Sequence, residues 1–396
     1  MSKIIRRPCP VCSGDGRRLI HRQRFMEGPM GDGYDVVVCT DCGTGFADGI
    51  PSQPDMDRYY SEQSKYTYDH AGGAESTWDL KRFEATADQI VPHLESFDVR
   101  ILDVGCATGG LLSVFRKRGY RKVMGIDPSP ACAAAASRLH GVTVRVGTLA
   151  HLGHWVERFD LILMVGVLEH LGDVRAAVNI ASQLLSPGGR LYCAVPDVEG
   201  LASSANAPYQ QFSIEHVNFF SRNSLKRLMA ECGMAEVHTW TWTVEWRENV
   251  TEPIVSGLYV PKLNPLSLVF DETTGPALGR YMAFSREGDH RIRNIINSLR
   301  RSQEPILVWG AGTLARRLLA TTKLSEANIT AFVDANPNIQ GQTLATRPIL
   351  GPSQITGRNE QILICSVSFE REIAGAIRIQ YGLSNRVISL IGENLA

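Results

Sequence analysis

No window of the 396-residue sequence approaches the roughly 20 consecutive apolar residues that a bilayer-spanning helix needs, so no membrane segment is expected. An excess of either charge is also missing. Lys and Arg number 41 and Asp and Glu 41, so no global field draws the chain toward nucleic acid or anionic lipid. The opening residues, MSKIIRRPCP, run two basic residues into a Cys-Pro pair with no apolar stretch of signal-peptide length, which argues for the cytoplasm rather than export. No repeat at a solenoid period stands out. What is present is ordinary globular composition, 44% apolar and 21% charged, in a chain long enough for more than one core. Nine cysteines in a reducing compartment more often hold metal than form disulfides.

The chain divides into three parts. Residues 1–75 are loop-rich, carry four cysteines and end in an irregular connector of Pro, Gly, Tyr and charge. Residues 76–240 alternate helices with short apolar strands, the rhythm of a parallel sheet covered on both faces. The strands are read at Ile101–Val104, Val123–Asp127, Val144–Gly147, Phe159–Gly166 and Arg190–Pro196, with a helix at Ser224–Cys232. Residues 241–396 hold a linking strand, a connecting helix at Asp289–Arg301, and a second strand, glycine loop and helix from Ile306. The strand-like alternation around Trp240, Trp242 and Trp246 straddles the boundary.

The central signal is Asp103-Val-Gly105-Cys-Ala-Thr-Gly109-Gly110, after a strand and before a helix. Glycines there let the backbone turn tightly and approach a ligand. By itself the loop serves NAD as readily as another nucleoside cofactor. Asp103 breaks the tie, because its carboxylate suits the ammonium of a methionine tail better than a pyrophosphate. Asp127 closes the second strand, at the spacing from which an acid reaches ribose hydroxyls. Glu169-His170 reads either as a ligand contact or as a helix-start capping arrangement.

Cys9-x-x-Cys12 and Cys39-x-x-Cys42 form two knuckles. Four thiolates satisfy a tetrahedral Zn2+ and leave no position for an activated water, so the expected metal role is structural. His21 is a weaker competitor, and His151 with His154 lacks a third ligand. Beyond the fifth strand lies Gln211-Phe-Ser213-Ile-Glu215-His216-Val-Asn-Phe219, on the ligand-bearing edge of the sheet. A neutral imidazole at His216 can take a proton from a carbon or hydroxyl acceptor. Glu215-His216 followed by Phe-Phe-Ser can equally be a structural turn.

The glycine loop and Asp127, with FDLILMVGVLEHLGD (Phe159–Asp173) and SPGG (Ser186–Gly189), resemble motifs one, two, four and five of class I S-adenosylmethionine-dependent methyltransferases. The resemblance spans about residues 100–196. It implies an α/β, Rossmann-like doubly wound sheet, with Asp103, Gly105, Gly109, Asp127, Thr148 and Glu169 near the cofactor. At Gly147-Thr148-Leu149 the acid often found beside the adenine is missing, leaving a hydroxyl and backbone.

Taken with the cysteine knuckles and the C-terminal glycine loop, the whole chain resembles the zinc-containing C-methyltransferases of deoxysugar biosynthesis. That resemblance implies a nucleotide-linked 4-keto sugar as the small-molecule partner, methylated on carbon, with His216 as base and Glu215 beside it. The family's Tyr-x-Glu-His run has Ser213 in place of tyrosine, and Tyr209, Tyr59, Tyr60, Tyr66 and Tyr68 are the candidate substitutes. Gly310-Ala-Gly312 with Asp334 mimics a dinucleotide fingerprint without its third glycine, and reads either as a nucleotide-holding domain or as a scaffold wall. Other expectations fit less well. An O- or N-methyltransferase acting on another metabolite remains open. Zero net charge speaks against a zinc-containing ribosomal RNA methyltransferase, and Asp103 against a nicotinamide oxidoreductase.

Overall fold

The computed structural model describes residues 6–28, 31–63, 74–204, 207–262 and 269–391. Tyr66 and Tyr68 lie outside them. Three sheets organise the chain. The N-terminal sheet joins β1 (Arg17–Arg24), β2 (Gly33–Cys39) and β3 (Gly45–Asp48) as an antiparallel meander.

The central sheet takes β4 (Ile101–Val104), β5 (Val123–Asp127), β6 (Val144–Val146), β7 (Phe159–Val165) and β8 (Leu185–Pro196), all parallel. The apolar strands are buried on both faces by helices, as continuous runs such as LILMV predict. A short strand after β8, β9 (Asn218–Phe219), leaves this sheet and pairs with β3 in the first one. The N-terminal module is therefore closed by a segment that follows the fifth central strand.

The central sheet then continues through β10 (Met234–Arg247) and β11 (Val250–Pro261). β11 pairs antiparallel with β8, and β10 with β11, giving the order β10-β11-β8-β7-β4-β5-β6. A domain boundary between 240 and 241 falls inside β10, which belongs to the central sheet. The Trp240–Trp246 alternation correctly marks a strand. Its partner is the β11 hairpin arm, and that pairing cannot be read from period alone.

The connecting helix is longer than Asp289–Arg301 and runs Thr274–Ser302. Its first half buries Ala277, Leu278, Tyr281 and Met282 in a core shared with Phe25, Tyr34, Phe212 and Phe219. Its second half sends Ile292, Ile296 and Leu299 into the C-terminal core. That last domain carries β12 (Ile306–Trp309), β13 (Ile329–Val333), β14 (Thr343–Leu344), β15 (Arg347–Leu350), β16 (Gln361–Ile364) and β17 (Val387–Ile388). All pairings there are parallel except the β14–β15 hairpin. No described helix is long and apolar enough to cross a membrane.

Candidate active site

The glycine loop begins where β4 ends. Gly105 turns at φ +70°, and a Cβ there would stand 2.8 Å from Val167 Cγ2, so both conformation and space call for glycine. Gly109, at φ +80°, starts the helix Gly110–Lys117. Asp103, on the strand before the loop, is buried. Burial, with the nearby Asp127 carboxylate second, pushes its carboxyl up to about 8. A buried acid with no compensating cation among the described residues suits a ligand ammonium.

Asp103 and Gly105 line a cavity of about 450 Å³ together with Glu169, Glu215 and His216. The structure thus brings one edge of the glycine loop and the segment beyond the fifth strand onto one space. Three residues expected at the cofactor lie off its wall. Asp127 Oδ2 accepts from the Ala107 amide at 2.9 Å and Oδ1 from the Ser129 amide at 2.9 Å, so its carboxylate braces the loop. Gly109 acts as the helix start. Thr148 closes a turn with His151, whose Nδ1 accepts from the Thr148 amide at 3.0 Å.

The Glu169-His170 turn is not a helix cap, since Asp173 accepts from the Ala176 amide at 2.9 Å and caps the next helix. Instead the turn is tied to the His216 segment. Val217 donates its amide to the Glu169 carbonyl at 2.7 Å, and Asn218 Nδ2 donates to the Leu168 and Leu171 carbonyls, both at 2.7 Å. Arg7, from the N-terminal module, donates to the carbonyls of Gly172 (2.7 Å) and Val217 (2.6 Å). The two segments are clamped together from the module's side.

Ser213 has a different task from a catalytic phenol. Its Oγ accepts the amides of Glu215 (3.2 Å) and His216 (3.1 Å), which folds the turn that presents both residues. Among the tyrosines, Tyr59 donates to Glu215 Oε1 at 2.9 Å, and the Tyr60 hydroxyl lies 3.0 Å from His170 Nδ1. Tyr209 stacks on His21, 4.8 Å between ring centroids.

Sequence reasoning missed the partners of His216. Gln211 Oε1 lies 3.0 Å from His216 Nδ1, while Gln211 Nε2 donates to Glu252 Oε1 at 2.7 Å. Glu252 Oε2 also accepts from Trp246 Nε1 at 2.8 Å. Glu75, on the cavity wall, was missed too. Its Oε1 lies 2.8 Å from His140 Nε2 and 3.3 Å from Thr108 Oγ1. Phe369 of the C-terminal domain also lines the cavity, under the Arg247 guanidinium. Gln211–Glu252, Glu75–His140 and Arg247–Phe369 join residues far apart in sequence, and no local motif announces such pairs.

The four cysteines meet as expected. Cys9 Sγ lies 3.5 Å from Cys42 Sγ and Cys12 Sγ 3.6 Å from Cys39 Sγ, with all four within 4.8 Å of one another. A tetrahedron of thiolates at about 2.3 Å from zinc has edges of about 3.8 Å, so the set fits that metal. The Gly14 and Asp41 amides donate to Cys12 and Cys39 sulfurs, both at 3.4 Å, orienting the ligands.

Residues 70–239 match the family described as Methyltransferase domain, and residues 302–388 the family described as C2185-like, N-terminal. C-methyltransferase NovU of Streptomyces niveus is 27% identical over 269 residues, 65% of this chain and 63% of that protein. A ubiquinone biosynthesis O-methyltransferase of Cereibacter sphaeroides is 40% identical over 101 residues, 24% of this chain and 40% of that one. A solved S-adenosylmethionine-dependent methyltransferase of Thermotoga maritima, described as a possible histamine N-methyltransferase, shares 25% identity at a TM-score of 0.37. It covers 47% of this chain and 92% of its own. The chain thus spans less than two thirds of either curated relative. The central fold and its glycine-loop cavity are those of a methyltransferase domain. More particularly, the chain carries a class I S-adenosylmethionine-dependent methyltransferase domain, set between a four-cysteine module and a second Rossmann-like domain.

Proposed function

We propose that the protein is a methyltransferase for a small molecule, and that it methylates the carbon beside the ketone of a nucleotide-linked keto-deoxysugar, with His216 as general base. The carrying observation is the Gln211–Glu252 pair behind His216. A carboxylate only accepts, so the Gln211 amide nitrogen faces Glu252 and its oxygen faces His216. Nδ1 of His216 then carries the proton, and Nε2 has the lone pair that a base uses. S-adenosylmethionine, when bound, supplies a methyl group on a positively charged sulfur that needs no activation as a leaving group. The chain's work is to bind, to align the acceptor and to remove its proton.

Asp103 is the anchor for the cofactor's ammonium, Gly105 gives its backbone room, and Glu215, held by Tyr59, stands beside the base. The four cysteines hold a structural zinc. The C-terminal domain, which reaches the cavity through Ser368 and Phe369, holds the nucleotide end of the acceptor. Support for carbon as the acceptor comes from the similarity to C-methyltransferase NovU along 65% of the chain. The 40% local identity to an O-methyltransferase favours a second reading, in which the same base deprotonates a hydroxyl.

The test uses full-length protein, S-adenosylmethionine and a nucleoside-diphosphate-linked 4-keto-6-deoxyhexose. Methyl transfer to carbon, seen by NMR of the product, is expected, and an oxygen-linked methyl selects the second reading. His216→Asn should slow turnover by on the order of a hundredfold or more with cofactor affinity intact. A stable variant with near-normal turnover removes His216 from the chemistry.

A further inference from the structure

Half of the Glu169 carboxyl group has no structural partner among the described residues. The residue is 4% exposed, and Oε2 has no hydrogen-bond partner among the described residues. Oε1 lies 3.8 Å from His170 Nε2, beyond a normal hydrogen bond. The backbone on either side is fixed, because the Glu169 carbonyl accepts the Val217 amide at 2.7 Å. The carboxyl is buried on this fixed stretch of backbone, and it lines the same cavity as His216. An unpaired polar atom in such a place costs stability unless a ligand completes it.

The geometry matches what enolate formation needs. One oxygen of Glu169 and one ring nitrogen each of His170 and His216 lie within 4.8 Å of one another. A base nitrogen stands about 3 Å from the carbon it deprotonates, and a donor about 2.7 Å from the carbonyl oxygen. That oxygen is about 2.4 Å from the deprotonated carbon, from the ordinary C–C and C=O bond lengths. Two groups within 4.8 Å of one another have the spacing to flank one C–C=O unit. Ser213 does not take the place of a phenol there, because it does not line this cavity.

We propose that Glu169, as the neutral acid, donates a hydrogen bond to the ketone oxygen of the acceptor while His216 removes the proton from the adjacent carbon. This role rests on the keto-sugar reading above. The C–H bond breaks, its proton goes to His216 Nε2 and its electron pair moves onto the ketone oxygen as an enolate. The enolate carbon then forms a bond to the methyl group, the methyl–sulfur bond breaks with its pair left on sulfur, and the C=O double bond returns. His216 gives its proton to solvent, and nothing is oxidised or reduced. Burial, followed by the proximity of Glu252, pushes the Glu169 carboxyl up to about 8, in keeping with a protonated donor at neutral pH.

The test is exchange of deuterium from solvent into the carbon beside the ketone. It is followed by NMR with a nucleoside-diphosphate-linked 4-keto-6-deoxyhexose, S-adenosylhomocysteine and the full-length protein. Wild type is expected to exchange. Glu169→Leu should slow exchange by on the order of a hundredfold or more. Glu169→Gln, which keeps an N–H donor, should stay within roughly tenfold of wild type, and both variants should bind S-adenosylmethionine within about threefold of wild type. Equal loss in Gln and Leu, or wild-type exchange in Leu, overturns the role, and loss of cofactor affinity in both reassigns Glu169 to the donor side. If Glu169→Leu does not fold, Glu169→Gln alone decides, since its collapse to the rate without enzyme overturns the donor role. A wild-type protein that never exchanges removes the keto-sugar reading itself, and this role with it.

Discussion

Gln211 decides which nitrogen of His216 carries a proton, through a 3.0 Å contact from its amide oxygen to Nδ1. Its own amide nitrogen is fixed by Glu252 at 2.7 Å, so the glutamine cannot flip without setting its oxygen against that carboxylate.

Gln211→Leu should therefore lower kcat by about ten- to a hundredfold while S-adenosylmethionine affinity stays unchanged. Glu252→Gln, which permits the flip, should act in the same direction more weakly. Steady-state kinetics beside calorimetric binding checks both. Unchanged kcat in Gln211→Leu shows that the contact is only structural.

Cofactor binding should release a proton. Asp103 has its carboxyl pushed up to about 8 by burial and then by Asp127, against 3.8 ordinarily. A raised acid contributes stability that is complete below about 3.8 and is lost as pH rises through about 8. The ligand-free protein should lose stability across that window, and an arriving ammonium should reverse the loss by favouring the carboxylate. At pH 7, calorimetry in buffers of different ionisation heat should show proton release. S-adenosylmethionine should also raise Tm more at pH 8 than at pH 6. Asp103→Asn should abolish the release.

Asp127→Ala should weaken S-adenosylmethionine binding by about 1 to 3 kcal/mol, because the Ala107 and Ser129 amides lose their charged acceptor. Since the carboxylate braces the loop, Tm of the ligand-free protein should fall as well. Weakened binding at unchanged Tm indicates that Asp127 contacts the ligand directly instead.

Metal and clamp belong to one unit. Protein purified without chelator should carry about one zinc per chain, and Cys39→Ser should lower folding stability. Arg7, two residues before Cys9, reaches carbonyls on both segments that flank His216. Arg7→Ala should cost about 2 kcal/mol of stability and reduce turnover more than cofactor affinity. Metal analysis, chemical denaturation and binding measured on one preparation check these expectations.

The features legible in sequence are those whose cause is local. The strand runs are contiguous apolar segments, and Gly105 is required by the turn at its own position. The paired knuckles announce a four-sulfur cluster because each Cys-x-x-Cys folds on itself. Asp103 and Asp127 stand at strand ends as expected. Of the two, Asp103 alone lines the cavity, because the Ala107 and Ser129 amides take up the Asp127 carboxylate.

Tertiary structure decided the rest, because the groups concerned are distant along the chain. Gln211 and Glu252 are 41 residues apart, and Arg7 and Val217 are 210 apart. Period-2 alternation identifies β10 as a strand, yet only its pairing with β11, and of β11 with β8, places it in the central sheet. Likewise the helix Thr274–Ser302 begins earlier than expected because its first turns are buried against the N-terminal sheet. A residue's type and spacing are written in the sequence. Which distant atom satisfies its hydrogen bond is set only when the sheets and the long helix pack, and that packing brings Glu215 and His216 onto the wall of the glycine-loop cavity.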